Sequence, residues 1–109
     1  MNAQPDDLPD ARLAALRAQV AEADRALVEA VNERIELVRQ VRRCKRRLGI
    51  PFVDRAQEQR LVAALAATNA GPLSEPGLRD LIGVVLDLTK REVARAELRL
   101  PREPDRDSV

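Results

Sequence analysis

The sequence predicts an all-α chain of three helices, one long and two shorter, and three observations carry that prediction. Hydrophobic residues make up 45% of the 109 positions while only one aromatic, Phe52, is present, so burial must come from many Leu, Val, Ile and Ala side chains spread along extended surfaces. No Gly or Pro interrupts the chain from Leu13 to Leu48, and apolar residues recur there at the three-and-four spacing of one helix face. Gly and Pro then cluster at two places, around Gly49–Pro51 and Gly71–Pro76, which divide the remainder into two further helical segments. No segment alternates like a strand, and there is no internal repeat.

The first helix is written by Leu13, Leu16, Val20, Ala23, Leu27, Val31, Ile35, Val38 and Val41. Some 36 residues at ~1.5 Å each make a rod of roughly 54 Å, longer than a compact globule of this size. Gly49, suited to a left-handed cap, and Pro51, which cannot extend the ladder, end it. Asp54 is the expected N-cap of the second helix, with Gln57 three residues on to close a capping box and Leu61, Val62 and Leu65 as its stripe. That helix stops near Asn69 to Gly71. Ser74 is the third N-cap, Pro76 fits the first turn, and Leu78, Leu81, Ile82, Val85, Leu86, Thr89 and Val93 form one face that fades near Leu98. Residues 1–10 and 99–109 are expected to be disordered, framing a folded domain over 11–98. The long helix has no companion of equal length in its own chain, so its stripe predicts a symmetric homodimer; a kinked first helix would instead permit a monomeric three-helix bundle.

Composition removes several chemistries. With no histidine and a single cysteine, Cys44, the chain excludes a His-based triad, a Cys/His zinc site, an intrachain disulfide and a redox dithiol. Nineteen basic against eighteen acidic residues leave a net charge of +1, too little to attract nucleic acid globally. The run Arg39, Arg42, Arg43, Lys45, Arg46 and Arg47 lacks interleaved aromatics and reads as a solvated helix end favourable to the macrodipole. No apolar run reaches the roughly 20 residues that span a bilayer, so no membrane partner is expected. The start carries Asp6, Asp7 and Asp10 rather than a basic and then apolar leader, which points to the cytoplasm.

The informative residues are charges on apolar stripes. At ~100° per residue and with Leu27 as the centre, Arg34 falls about 20° away and Lys45 almost on the centre line, while Arg17 lies roughly 80° off. In the second helix Glu58 stands one turn before Leu61 and Val62 on the same face. A single such cation is commonly a snorkelling or register-setting side chain, but three charges on stripes point together to a site. The inward cations outnumber the inward carboxylates, and a compact polycarboxylate would supply the missing negative charge. An internal salt-bridge network with Asp24 and Glu33 is the alternative.

The stretch from Leu16-Arg17 through Asp24, Leu27, Glu33-Arg34, Lys45, Pro51, Asp54 and Glu58 resembles, without gaps, the small all-helical chorismate mutases of the AroQ class, over about Leu13 to Arg95. The resemblance implies an intertwined homodimer with two sites, each completed by an arginine from the neighbouring chain, and the Claisen rearrangement of chorismate to prephenate without a cofactor or metal. By that likeness Arg17 of the partner chain and Arg34 grip the two substrate carboxylates, and Lys45 faces the ether oxygen where charge grows as the C–O bond breaks. Glu58 and the backbone of Asp54 hold the ring hydroxyl, and Thr89 stands where the family has a Ser near a carboxylate. A pericyclic step needs no nucleophile, acid or base, which agrees with the missing histidine, so catalysis rests on holding a reactive conformer and on fixed charge.

Two positions depart from the family pattern. Gln57 stands where an Arg is frequent, and as the capping-box partner of Asp54 it has a structural reading as well. Val93 stands where a Gln donates a second hydrogen bond to the ether oxygen, and losing such a donor costs about 2.7–4 kcal/mol of transition-state stabilisation in other enzymes. These departures keep two further functions open. One is the same fold acting on aminodeoxychorismate or removing pyruvate from isochorismate; the other is a catalytically poor helical dimer that regulates a partner enzyme.

Overall fold

The computed structural model describes residues 9–99 and contains three α-helices: α1, Pro9–Leu48; α2, Arg55–Thr68; and α3, Glu75–Arg99. The described residues contain no strand. The segments expected to be disordered lie outside the described residues except for Pro9, Asp10 and Arg99, which are helical. The long helix starts four residues before Leu13, and Pro9 begins it because a first-turn residue has no intrahelical use for its N–H. No described helix is long and apolar enough to cross a membrane.

By its internal contacts the chain divides into two units, Met1–Glu33 and Arg34–Val109, with the boundary inside α1. The described part of the first unit is a single helical segment. It has no buried side chain, and its apolar stripe is open: Leu16 is 42% exposed, Leu27 56% and Val20 59%. The exposed pair Arg25–Glu22, 2.6 Å apart, is a one-turn surface contact of small energetic weight.

The second unit joins the C-terminal part of α1 to α2 and α3. Its α1 segment ends in a Schellman arrangement: the Ile50 N–H donates to the Lys45 carbonyl at 2.9 Å and the Gly49 N–H to the Arg46 carbonyl at 3.2 Å, with Gly49 at φ +68°. Only a residue without a Cβ adopts that φ cheaply. Asp54 caps α2 as expected, its Oδ1 accepting from the Gln57 N–H at 3.1 Å. The reciprocal half of the capping box does not form. The Gln57 Oε1 accepts instead from Arg60 Nη2 at 2.9 Å and Nε at 3.2 Å, because a charged two-pronged donor one turn ahead outcompetes a single backbone N–H. Ser74 caps α3 by accepting from the Gly77 N–H at 3.1 Å.

The buried core of the second unit lies on α3 and consists, among the described residues, of Leu78, Thr89 and Val93. Glu97 clasps α1 near the end of α3, accepting from Arg46 Nη2 at 2.9 and 3.0 Å and standing 3.3 Å from Arg42 Nε. Together with a hydrogen bond from Arg34 to Thr89, these side-chain contacts link α1 to α3.

Candidate active site

A cavity of about 120 Å³ opens in the second unit between the end of α1, the α1–α2 turn, the start of α2 and the middle of α3. Six residues singled out from the sequence line it: Arg34, Lys45, Asp54, Gln57, Glu58 and Thr89. Its apolar walls are Val38 and Val41 from α1, Phe52 from the turn and Leu86 from α3. Arg17 belongs to the first unit, is exposed, and is not among the lining residues. Val93 is fully buried and does not line the cavity either, its side chain being spent on packing.

The two α1 cations that line the cavity are each held by a neutral oxygen. Arg34 Nη1 donates to Thr89 Oγ1 at 2.6 Å, and that hydroxyl in turn donates to the Val85 carbonyl at 2.6 Å. At 2% exposure Thr89 is a buried relay that fixes the guanidinium from α3; within this chain it acts on Arg34, a role that its place on the stripe did not reveal. Lys45 Nζ donates to the Phe52 carbonyl at 2.9 Å and stands 5.9 Å from the centre of the Phe52 ring, with Arg42 over the same ring at 5.0 Å. Two α1 cations on one aromatic ring hold Phe52 of the turn against the end of α1, where it forms part of the cavity wall.

The carboxylates are engaged differently. Asp54 is committed to its cap, so part of its charge is shared with the first N–H groups of α2. Glu58 forms an ion pair with Lys90, Oε1 to Nζ 2.5 Å, the two side chains being 25% and 33% exposed. Among the described residues neither Arg34 nor Lys45 forms an ion pair with any carboxylate of the chain. The alternative of a network with Asp24 and Glu33 is therefore not what these two cations make. An Arg fork and a Lys point charge thus face one small, partly apolar space on neutral acceptors that an incoming anion can replace without breaking an internal salt bridge.

Phe52 and Lys90 also line the cavity, beyond the residues singled out from the sequence. Phe52 lies in a turn where helical periodicity carries no information. Lys90 was accessible to the angular argument that found Arg34: four residues after Leu86, it lies about 40° from it on the α3 face. Cys44 is exposed and does not line the cavity.

The chain is similar to known proteins over most of its length. The family model for chorismate mutase type II matches residues 16–93. Two solved structures of a chorismate mutase from Thermus thermophilus are similar in fold. Form I shares 31% identity at a TM-score of 0.70, covering 72% of this chain and 98% of that one. Form II shares 30% identity at a TM-score of 0.73, covering 77% and 96%. Among curated proteins no relative matches.

Proposed function

The chain belongs to the type II chorismate mutases, and from that premise we propose how its own side chains serve the rearrangement. It is an isomerase that converts chorismate to prephenate, a step on the route to phenylalanine and tyrosine. The observation that supports the site assignment is the pairing of Arg34 and Lys45 on one cavity, each on a neutral acceptor.

Arg34, fixed by the Thr89 relay, takes a substrate carboxylate by its planar fork. Lys45 turns its ammonium from the Phe52 carbonyl toward the ether oxygen, where the breaking C–O bond gathers negative charge. Because that donor stands in place before the bond breaks, little reorganisation is needed in the transition state, which is where fixed charge lowers a barrier. Glu58 and the backbone at Asp54 hold the ring hydroxyl, and Gln57 closes the α2 side. Val38, Val41, Leu86 and Phe52 supply apolar walls that favour a compact folded conformer of the substrate, the geometry in which its two reacting carbons meet.

The functional molecule in this reading is a homodimer. The first unit contributes the open Leu16, Val20 and Leu27 stripe as an interface, and Arg17 of the partner chain brings a second guanidinium to each site. Support comes from the exposure of that stripe and from Arg34 being the single guanidinium among the described residues that line the cavity, for a substrate with two carboxylates.

Subunit complementation tests the assignment. Arg17→Ala and Arg34→Ala chains are each expected to be inactive with chorismate. After verified subunit exchange a mixture should recover part of the turnover, since one site of each heterodimer draws both intact residues. An absence of recovery refutes the shared site and leaves the family's reaction to be assigned to one chain.

A further inference from the structure

Glu58 presents a difficulty for the proposed site. A carboxylate lines a cavity meant to receive a dianion, and alone it would repel the substrate it is said to hold. The structure shows what stands against it: Lys90, from α3, lines the same cavity and holds Glu58 Oε1 at 2.5 Å. Glu58, Lys90 and Leu86 also border a second, wider concavity of about 480 Å³ between α2 and α3, so the pair forms part of the wall between the two spaces. Lys90 therefore reaches the site from the side of α3, while Arg34 and Lys45 reach it from α1.

We propose that Lys90 is a positioning residue for the rearrangement: its ammonium neutralises and orients Glu58, so that a carboxylate can accept the ring hydroxyl beside two substrate carboxylates. The inference rests on the functional reading above and deepens it at one residue. Electrostatics decide between the two courses open to Lys90. If it left Glu58 for a substrate carboxylate, Glu58 would stand unpaired next to a dianion in a half-buried space, a costly arrangement. If it stays, the Glu58–Lys90 pair is neutral, and Arg34, Lys45 and the partner's Arg17 face the substrate's two charges. The pair also bridges α2 to α3, which keeps the Glu58 oxygen not bound to Lys90 available to the hydroxyl.

Such a role acts on binding before it acts on the barrier. Repulsion from an unpaired Glu58 weakens substrate and transition state alike, so its loss appears mainly in KM. In Lys90→Met the KM for chorismate and the inhibition constant of prephenate, a product with two carboxylates, should both rise by about five- to tenfold with kcat changed by less than about threefold. Lys90→Arg, which keeps the charge, should restore most of the loss. The decisive variant is Lys90→Met/Glu58→Gln: the amide keeps an acceptor oxygen for the hydroxyl and removes the unpaired charge, so prephenate should bind several-fold better than to Lys90→Met alone. A purely structural bridge between α2 and α3 predicts the reverse, since the double variant cannot rebuild an ion pair. Normal KM in Lys90→Met, or a double variant that binds prephenate no better than the single one, overturns the proposal while leaving the reaction itself intact. An unaltered enzyme that does not turn over chorismate overturns the functional reading, and this inference with it.

Discussion

In the part of α1 that belongs to the first unit, Leu13, Leu16, Val20, Leu27 and Val28 are all exposed. In the part that belongs to the second unit the same three-and-four spacing sets Arg34, Val38 and Lys45 half-buried around a cavity. One periodic pattern thus serves two ends. In the second unit side chains of α2 and α3 of the same chain line one cavity with that face, and charges on it are held by Thr89 and Phe52. In the first unit the described residues form one helix only, and the face stays open. Helical period states which side of a helix is apolar; it does not state what covers that side.

If the open stripe is an interface, a charge placed on it should break the molecule apart. Leu27→Asp is expected to have the largest effect, because a symmetric dimer carries the change twice. Losing two buried leucines at about 1.5–3 kcal/mol each, with a charge added, weakens association by on the order of a thousandfold or more. Sedimentation equilibrium at micromolar concentration should find a 12.1 kDa species, with turnover lost as the partner's Arg17 departs. An active monomer would mean that the second unit works alone, and the proposed division of labour would fall.

Lys45→Ala sharpens the comparison from the other side, since it removes a charge from the second unit without touching the open stripe of the first. Losing fixed charge at the ether oxygen should raise the barrier by on the order of 3 kcal/mol, a drop in kcat of at least about a hundredfold. Stability should change by about 1 kcal/mol or less, the usual weight of one hydrogen bond such as that to Phe52. Thermal melting and steady-state rates on the same preparation check both. A lower Tm with near-normal turnover would make Lys45 a structural residue of the α1–α2 turn.

The smallest expected effect concerns Val93. Replaced by Gln, this buried residue of the α3 core would enclose an amide with no partner, costing about 1–3 kcal/mol of stability with no gain in kcat. Denaturant unfolding together with chorismate kinetics decides. A rise in kcat that depends on Lys45 would instead put the side chain of residue 93 against the ether oxygen.

Much of the candidate site is legible in the sequence because it is written as conflict. Arg34, Lys45 and Glu58 are charges on stripes that a helix wants apolar, and angular spacing alone brings them forward. Asp54 and Ser74 were legible for a different reason: a cap is a local event, completed within three residues. Gln57 shows where locality stops. Its backbone N–H binds Asp54 as the cap requires, but its side chain follows Arg60, a competitor that a four-residue motif does not weigh.

The amino-acid sequence by itself determined three helices, their caps and the face each presents, because backbone hydrogen bonds within a helix and short-range caps depend on neighbours in the chain. Composition likewise removed histidine-based chemistry before any coordinate was known. Tertiary structure decided the partners across helices: Thr89 under Arg34, Phe52 under Lys45 and Lys90 on Glu58. It also withdrew Val93 from the cavity into the core. The residues of these pairs lie far apart in sequence or meet across a turn. Which groups meet depends on how helices roll against one another, and a turn of a few tens of degrees, which periodicity does not resolve, exchanges a lining side chain for a buried one.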